Sequence, residues 1–140
     1  MEIQFFYIDR TITLANRTEL KAFIKNVFKR EKKAATSLTY VFCSDTYLLD
    51  INKQFLNHDY FTDIVTFNLS SDKNKIQGEI YISIDRVRDN ANLLGVTIKS
   101  ELHRVIFHGV LHLCGYKDKT LADEKTMRSM EDKYLQLYLR

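Results

Sequence analysis

The chain has no proline and no tryptophan, and only four glycines and two cysteines in 140 residues. Without proline, and with no repeat or low-complexity stretch, nothing marks a linker between domains. One domain is expected over 1–140, long enough to bury a substantial core. Cys43 and Cys114 are too few for a disulfide framework and fit a reducing cytoplasm. No apolar run approaches the roughly 18 residues of a membrane span. Residues 1–10 lack the basic start and long apolar stretch of a signal peptide. A cytoplasmic protein with no membrane partner is therefore expected. Charge of one sign is scarce as well. Lys and Arg number 21 against 18 Asp and Glu, a net charge of +3 that does not by itself indicate nucleic-acid binding. The Tyr and Phe residues sit mostly at strand or helix-core spacing and are not read as base-stacking platforms.

What is present is periodic. Residues 2–8 alternate and are rich in aromatic and β-branched types, which predicts a strand. Thr18 is a candidate N-cap for a helix to about Lys32, whose apolar stripe is Leu20, Phe23, Ile24, Val27 and Phe28. Residues 37–43 read as a second strand, followed by a helix from Ser44 or Asp45 to about Phe55. Residues 57–61 read as a loop. Thr62–Leu69 and Gln77–Ile84 read as a hairpin joined by a polar turn. Asp85 opens a helix broken by Gly95, and Thr97 caps a long apolar helix. A last helix runs from about Thr120 to Leu139. This order predicts an α/β (α+β) single-domain sandwich, a mixed four-stranded sheet packed with about five helices.

Chemistry is concentrated near the end of the long apolar helix. His108 and His112 are four residues apart, and a helix turns about 100° per residue. The second imidazole therefore returns to within about 40° of the first. Gly115 falls where the helix should stop, since glycine takes the left-handed C′ conformation without a Cβ penalty. The chain can then fold back and carry Asp118 towards the two rings. The spacing H-x-x-x-H-x-x-G-x-x-D offers three metal ligands and leaves one position open, which suits a catalytic site better than a closed structural one. Zinc is the expected ion, one per chain. Two histidines with one carboxylate also suit iron(II), and nickel or manganese are further alternatives. Cys114 lies about 240° around the helix from His108 and should face away from the ion. His103 is about 140° from His108 and reads as an ordinary surface or core histidine.

Residues 108–118 resemble the signature H-G-x-L-H-L-x-G-Y-D-H of the YbeY family of metal-dependent endoribonucleases, which act in ribosomal RNA maturation. Seven positions match: His108, Gly109, Leu111, His112, Leu113, Gly115 and Tyr116. Asp118 stands where the family has its third histidine ligand, and Lys117 where it has an aspartate. A carboxylate ligand partly neutralises the ion and weakens it as a Lewis acid. Residues 56–67 resemble the family's segment ending in T-D-V-L-S-F-P, with Asn68 in place of the proline. Gly78–Ser83 is similar to its G-D-I-x-I-S strand, and Met130–Glu131 falls where the family often has M-E in its final helix.

The resemblance covers nearly the whole chain and implies the same architecture. It implies single-strand-specific cleavage in 16S rRNA maturation and ribosome quality control. It also implies, as partners, 16S rRNA precursor, the small ribosomal subunit, one of its proteins and an Era-like GTPase. The candidate catalytic residues are His108, His112 and Asp118 acting through the metal, with Asp63, Lys53 and His58 beside them. The family's arginine before its T-D strand falls on Leu56 here, and Lys53 or His58 are its candidate substitutes. Two other readings compete. A metallopeptidase would need a glutamate directly after the first histidine, where Gly109 stands. A non-catalytic ribosome-assembly factor would use the metal only to tie the structure together. The basic run from Lys25 to Lys33 reads either as a solvated helix face or as an RNA contact.

Overall fold

Alternating apolar side chains build the sheet. The computed structural model describes residues 1–139. In β1 (Glu2–Tyr7), Ile3, Phe5 and Tyr7 turn inward. In β2 (Ala34–Cys43), Leu38, Tyr40 and Phe42 do the same, as do Ile76, Ile80 and Ile82 in β4 (Lys75–Ser83). β3 (Ile64–Asn68) completes a four-stranded sheet of order β1-β2-β4-β3. β1, β2 and β4 run parallel, and β3 is antiparallel to β4. Parallel neighbours need crossovers, which helices supply.

Among the described residues there are five helices: α1 (Arg17–Arg30), α2 (Asp45–Leu56), α3 (Ile84–Leu94), α4 (Ile98–Leu113) and α5 (Leu121–Tyr138). The main core joins the sheet to α1, α3, α4 and α5 through residues such as Leu20, Ile24, Val87, Leu102, Phe107 and Tyr134. Each such side chain, fully buried, contributes about 1.5–3 kcal/mol. A smaller cluster of Cys43, Leu48 and Val65 holds α2 against the opposite face. The sandwich expected from the sequence is thus present.

Some boundaries differ, each for a local reason. α1 starts at Arg17 behind Asn16, which is left-handed at φ 56° and makes no side-chain cap, so Thr18 is not the cap. β2 begins at Ala34, because an irregularity between Ala35 and Ser37 shifts the register and lets pairing with β4 continue. Ser83, not Asp85, caps α3 by accepting from the Arg86 N–H. Asp85 instead accepts from the Asp45 N–H at 2.9 Å and joins the starts of α2 and α3.

α4 is the element that positions the site. Leu102, Val105, Ile106, Phe107, Val110 and Leu111 are buried along it. Two glycines let it lie close on the sheet. A Cβ on Gly109 would stand 2.8 Å from Ile80 Cδ1 and 3.1 Å from Ile64 Cδ1. A Cβ on Gly78 would stand 2.6 Å from Leu113 Cδ1 and 2.7 Å from Leu38 Cδ1. The close seat brings the exposed side of the last two turns of α4 to the β3 edge.

Candidate metal centre and catalytic cleft

The helical period places His108 and His112 side by side, with ring centroids 5.9 Å apart and planes 28° from parallel. Both tautomers follow from their partners. A carboxylate and a carbonyl only accept hydrogen bonds, so the ring nitrogens facing them carry the hydrogens. His108 Nδ1–H donates to Glu131 Oε2 at 2.6 Å. His112 Nδ1–H donates to the Tyr116 carbonyl at 2.8 Å. Each ring thereby keeps its Nε2 lone pair for a ligand, the state a metal requires.

The turn that supplies the Tyr116 carbonyl depends on Gly115. Its φ is +107°, a conformation that side chains rarely adopt. The turn carries Asp118 back so that its Oδ2 lies 3.4 Å from His108 Nε2. Among the described residues, no three His, Cys, Asp or Glu side chains are drawn together as a formed metal cluster. The donor set nevertheless fits a divalent ion. Two histidines have their outer nitrogens tied down and their inner ones open, and a half-exposed carboxylate adjoins them.

Behind His108 lies a buried ionic chain. Glu131 on α5 accepts from Arg104 Nη1 at 2.9 Å as well as from His108. Arg104 also donates to both oxygens of Glu101, from Nε at 2.8 Å and from Nη2. Glu101 and Glu131 are 1% and 2% exposed, so the charges persist only because they neutralise one another. Burial opposes a charged His108, but the Glu131 hydrogen bond and charge outweigh it, helped by Asp63 and Asp118. The imidazole pKa is held above its ordinary value. Burial likewise opposes a charged Glu131, and His108 with Arg104 holds its carboxyl below the usual range.

The site opens into a cleft with two lobes. The larger, about 790 Å³, is lined by Asp63, Arg104, His108, Asp118, Lys125 and Arg128 among others. The smaller, about 450 Å³, runs along β3 and is lined by Leu56, His58, Asp63, Thr66, His112 and Lys119 among others. His108, Asp63 and Asp118 belong to both.

Of the residues singled out in the sequence, the structure thus brings His108, His112, Asp118 and Asp63 to one cleft. His58 stands at its rim, stacked on Tyr60 and bonded to its hydroxyl at 3.0 Å. Lys53 lines neither lobe; it points to Asp59, 3.4 Å away. Leu56 lines the smaller lobe, and the cations facing the cleft are Lys119, Lys125, Arg104 and Arg128. Arg86 is paired with Asp45 at 3.1 Å. His103 is buried with Nδ1 against the Lys99 carbonyl and its ring on Tyr138. Cys114 is buried, and burial with the nearby Glu31 pushes its thiol up to about 12. Gly109 offers no general base, and its packing against Ile80 leaves no room for one. Sequence reasoning missed Arg104 and Glu101. It reached Glu131 only through the family pattern.

A helix whose two histidines face one cleft, docked on a mixed sheet, defines an α/β protein with a candidate metal-binding site. Comparison with known proteins makes the class specific. The profile of the family described as Endoribonuclease YbeY matches residues 6–138. The chain is 52% identical over 135 residues to the Endoribonuclease YbeY of Cytophaga hutchinsonii, covering 96% of this chain and 94% of that one. It is 51% identical over 116 residues to that of Flavobacterium psychrophilum, covering 83% and 82%. Its fold is similar to the solution structure of TM1509 from Thermotoga maritima, with a TM-score of 0.68 and 27% identity over 97% of this chain and 88% of that one. The chain belongs to the YbeY endoribonuclease family. No helix among the described residues is long and apolar enough to cross a membrane.

Proposed function

We propose that this protein is a metal-dependent endoribonuclease that cleaves single-stranded RNA in 16S rRNA maturation and ribosome quality control. The observation that carries this reading is the pair of α4 histidines, both with Nδ1 engaged and Nε2 open to a cleft shared with Asp63 and Asp118. His108, His112 and Asp118 would hold one divalent ion, zinc by donor type. When bound, that ion acidifies a water and neutralises charge on a phosphodiester. The remaining work falls to the chain. Glu131 keeps His108 in one tautomer and one orientation. Asp63, common to both lobes, accepts a hydrogen bond from the attacking water. Lys119, Lys125 and Arg128 face the RNA backbone, which makes binding salt-sensitive. They take the part that the family gives to an arginine at the Leu56 position. Lys53, paired with Asp59, lines neither lobe. The small ribosomal subunit, one of its proteins and an Era-like GTPase complete the setting in the cytoplasm.

The test is metal analysis of purified protein together with cleavage of a single-stranded RNA. About one ion per chain and metal-dependent cleavage are expected, both lost in His108→Ala/His112→Ala. Stoichiometric metal retained by that double variant, or cleavage indifferent to chelation, overturns the reading.

A further inference from the structure

A second basin adjoins the cleft and belongs to no part of the site described above. Its volume is about 260 Å³, and it is lined by Lys32, Lys33, Asn68, Lys73, Asn74 and Gly115 among others, with no acidic residue. The three lysines come from two places distant in sequence. Lys32 and Lys33 follow α1, and Lys73 lies in the turn between β3 and β4. Lys32 itself is left-handed at φ 58°, an uncommon state for a side chain of its size. The turn is fixed by the Lys32 N–H on the Lys29 carbonyl and the Lys33 N–H on the Phe28 carbonyl.

The acids nearest these lysines in sequence are hydrogen-bonded to neutral donors and not to the lysines. Glu31, in the middle of the basic run, accepts from the Tyr116 hydroxyl at 2.7 Å and from the Tyr134 hydroxyl. Asp72 accepts from the Asn74 N–H at 2.8 Å within its own turn. Among the described residues, none of the three lysines stands in an ion pair. Three lysines around one basin with no acidic lining and no direct ion-pair partner favour an anion there.

Position identifies the anion. The basin and the cleft are lined by neighbouring residues on two elements. On α4, His112 lines the cleft and Leu113 lines the basin. On β3, Thr66 lines the cleft and Asn68 lines the basin. Two residues along a strand span about 7 Å. A strand lying in the cleft therefore reaches the basin within a short stretch of backbone. We infer that Lys32, Lys33 and Lys73 form a phosphate-binding subsite that grips the backbone of single-stranded RNA on leaving the catalytic cleft. This rests on RNA being the substrate, though not on the metal or on cleavage.

The experiment measures equilibrium binding of a fluorescent single-stranded RNA to metal-free protein by anisotropy over a range of salt. It compares the wild type, Lys32→Gln/Lys33→Gln/Lys73→Gln, and a control of equal charge loss, Lys21→Gln/Lys99→Gln/Lys133→Gln. For single strands each neutralised phosphate contributes about 0.7 to the slope of log affinity against log salt. Loss of three contacts should lower the slope by roughly 2, a difference of about 16-fold in affinity change between 50 and 200 mM salt. The control should keep the wild-type slope, and thermal melting of both variants should match the wild type. Equal slopes in the wild type and the basin variant overturn the subsite, as does an equal loss in the control. Wild-type binding with the slope lost only in the basin variant, together with no cleavage of the same RNA by metal-loaded protein, would defeat the nuclease reading and leave this one standing. No RNA binding by the wild type would defeat both.

Discussion

Replacing Glu131 by glutamine removes one charge and changes little else, which makes it the sharpest probe of the ionic chain behind His108. The carboxylate is 2% exposed and receives two charge-assisted hydrogen bonds, from Arg104 Nη1 at 2.9 Å and from His108 Nδ1 at 2.6 Å. Such bonds contribute about 1.5–3 kcal/mol each. Glutamine keeps one acceptor oxygen, so one bond survives, and Arg104 retains Glu101. The expected loss is about 2–3 kcal/mol, below the ~3–5 kcal/mol of breaking a buried pair outright. The assay is urea unfolding of metal-free protein followed by circular dichroism between pH 4 and 8.

The pH dependence has a definite sign. Glu131 titrates lower when folded, so its contribution is present above the ordinary 4.5 and fades as pH falls through the folded value. His108 titrates higher when folded, so its contribution is present below the ordinary 6.5 and fades as pH rises through the folded value. The gap between wild type and variant should therefore be widest near pH 5.5 and narrow on both sides. A gap under about 0.5 kcal/mol that is flat across the range would refute the coupling, since that is the scatter of ordinary surface changes.

Other outcomes follow from single contacts. Asp118→Asn should weaken metal binding in competition with a chelator, while Asp118→His should retain it; equal affinity in the wild type and Asp118→Asn would mean that another residue completes the site. Gly78→Ala drives a Cβ within 2.7 Å of Leu113 and Leu38 and should cost about 1–3 kcal/mol in urea unfolding, with a neutral result showing that the two leucine side chains can turn aside. Cys43 and Cys114, with thiols pushed up to about 12 chiefly by burial, should resist alkylation at pH 8 in folded protein; fast labelling of either would contradict the packing.

Most of the fold was legible because it is written in short-range pattern. Period-two alternation marked β1, β2 and β4, and the 3.6-residue stripe marked α1 and α4. The histidine pair was legible for the same reason, since one helix fixes both rings. Partners across elements were not. Glu131 lies 27 residues from Arg104 and 23 from His108, and no local periodicity links them. The left-handed Asn16 start of α1 makes no side-chain cap, so the pattern that marks an N-cap pointed to Thr18 instead. Lys53 was chosen for nearness in sequence to the T-D strand, but it pairs with Asp59 at the end of α2 and lines neither lobe. Among the described residues, the cations that line the cleft come from α4, α5 and the turn beyond Gly115, and none from α2. The basic run after α1 could be weighed but not resolved until the fold set Lys73 opposite it and tied Glu31 to two tyrosines.

The separation between His108 and Glu131 also sets an order in time. The ribosome makes the chain from its N-terminus, so both α4 histidines exist before the acid that orients one of them. At roughly 5–20 residues per second the interval is on the order of 1–5 s, and docking of α5 must follow. During that interval His108 is free to rotate and to change tautomer. A nascent chain therefore carries the histidine pair without its alignment, and the aligned pair is born only with the helix that arrives after it.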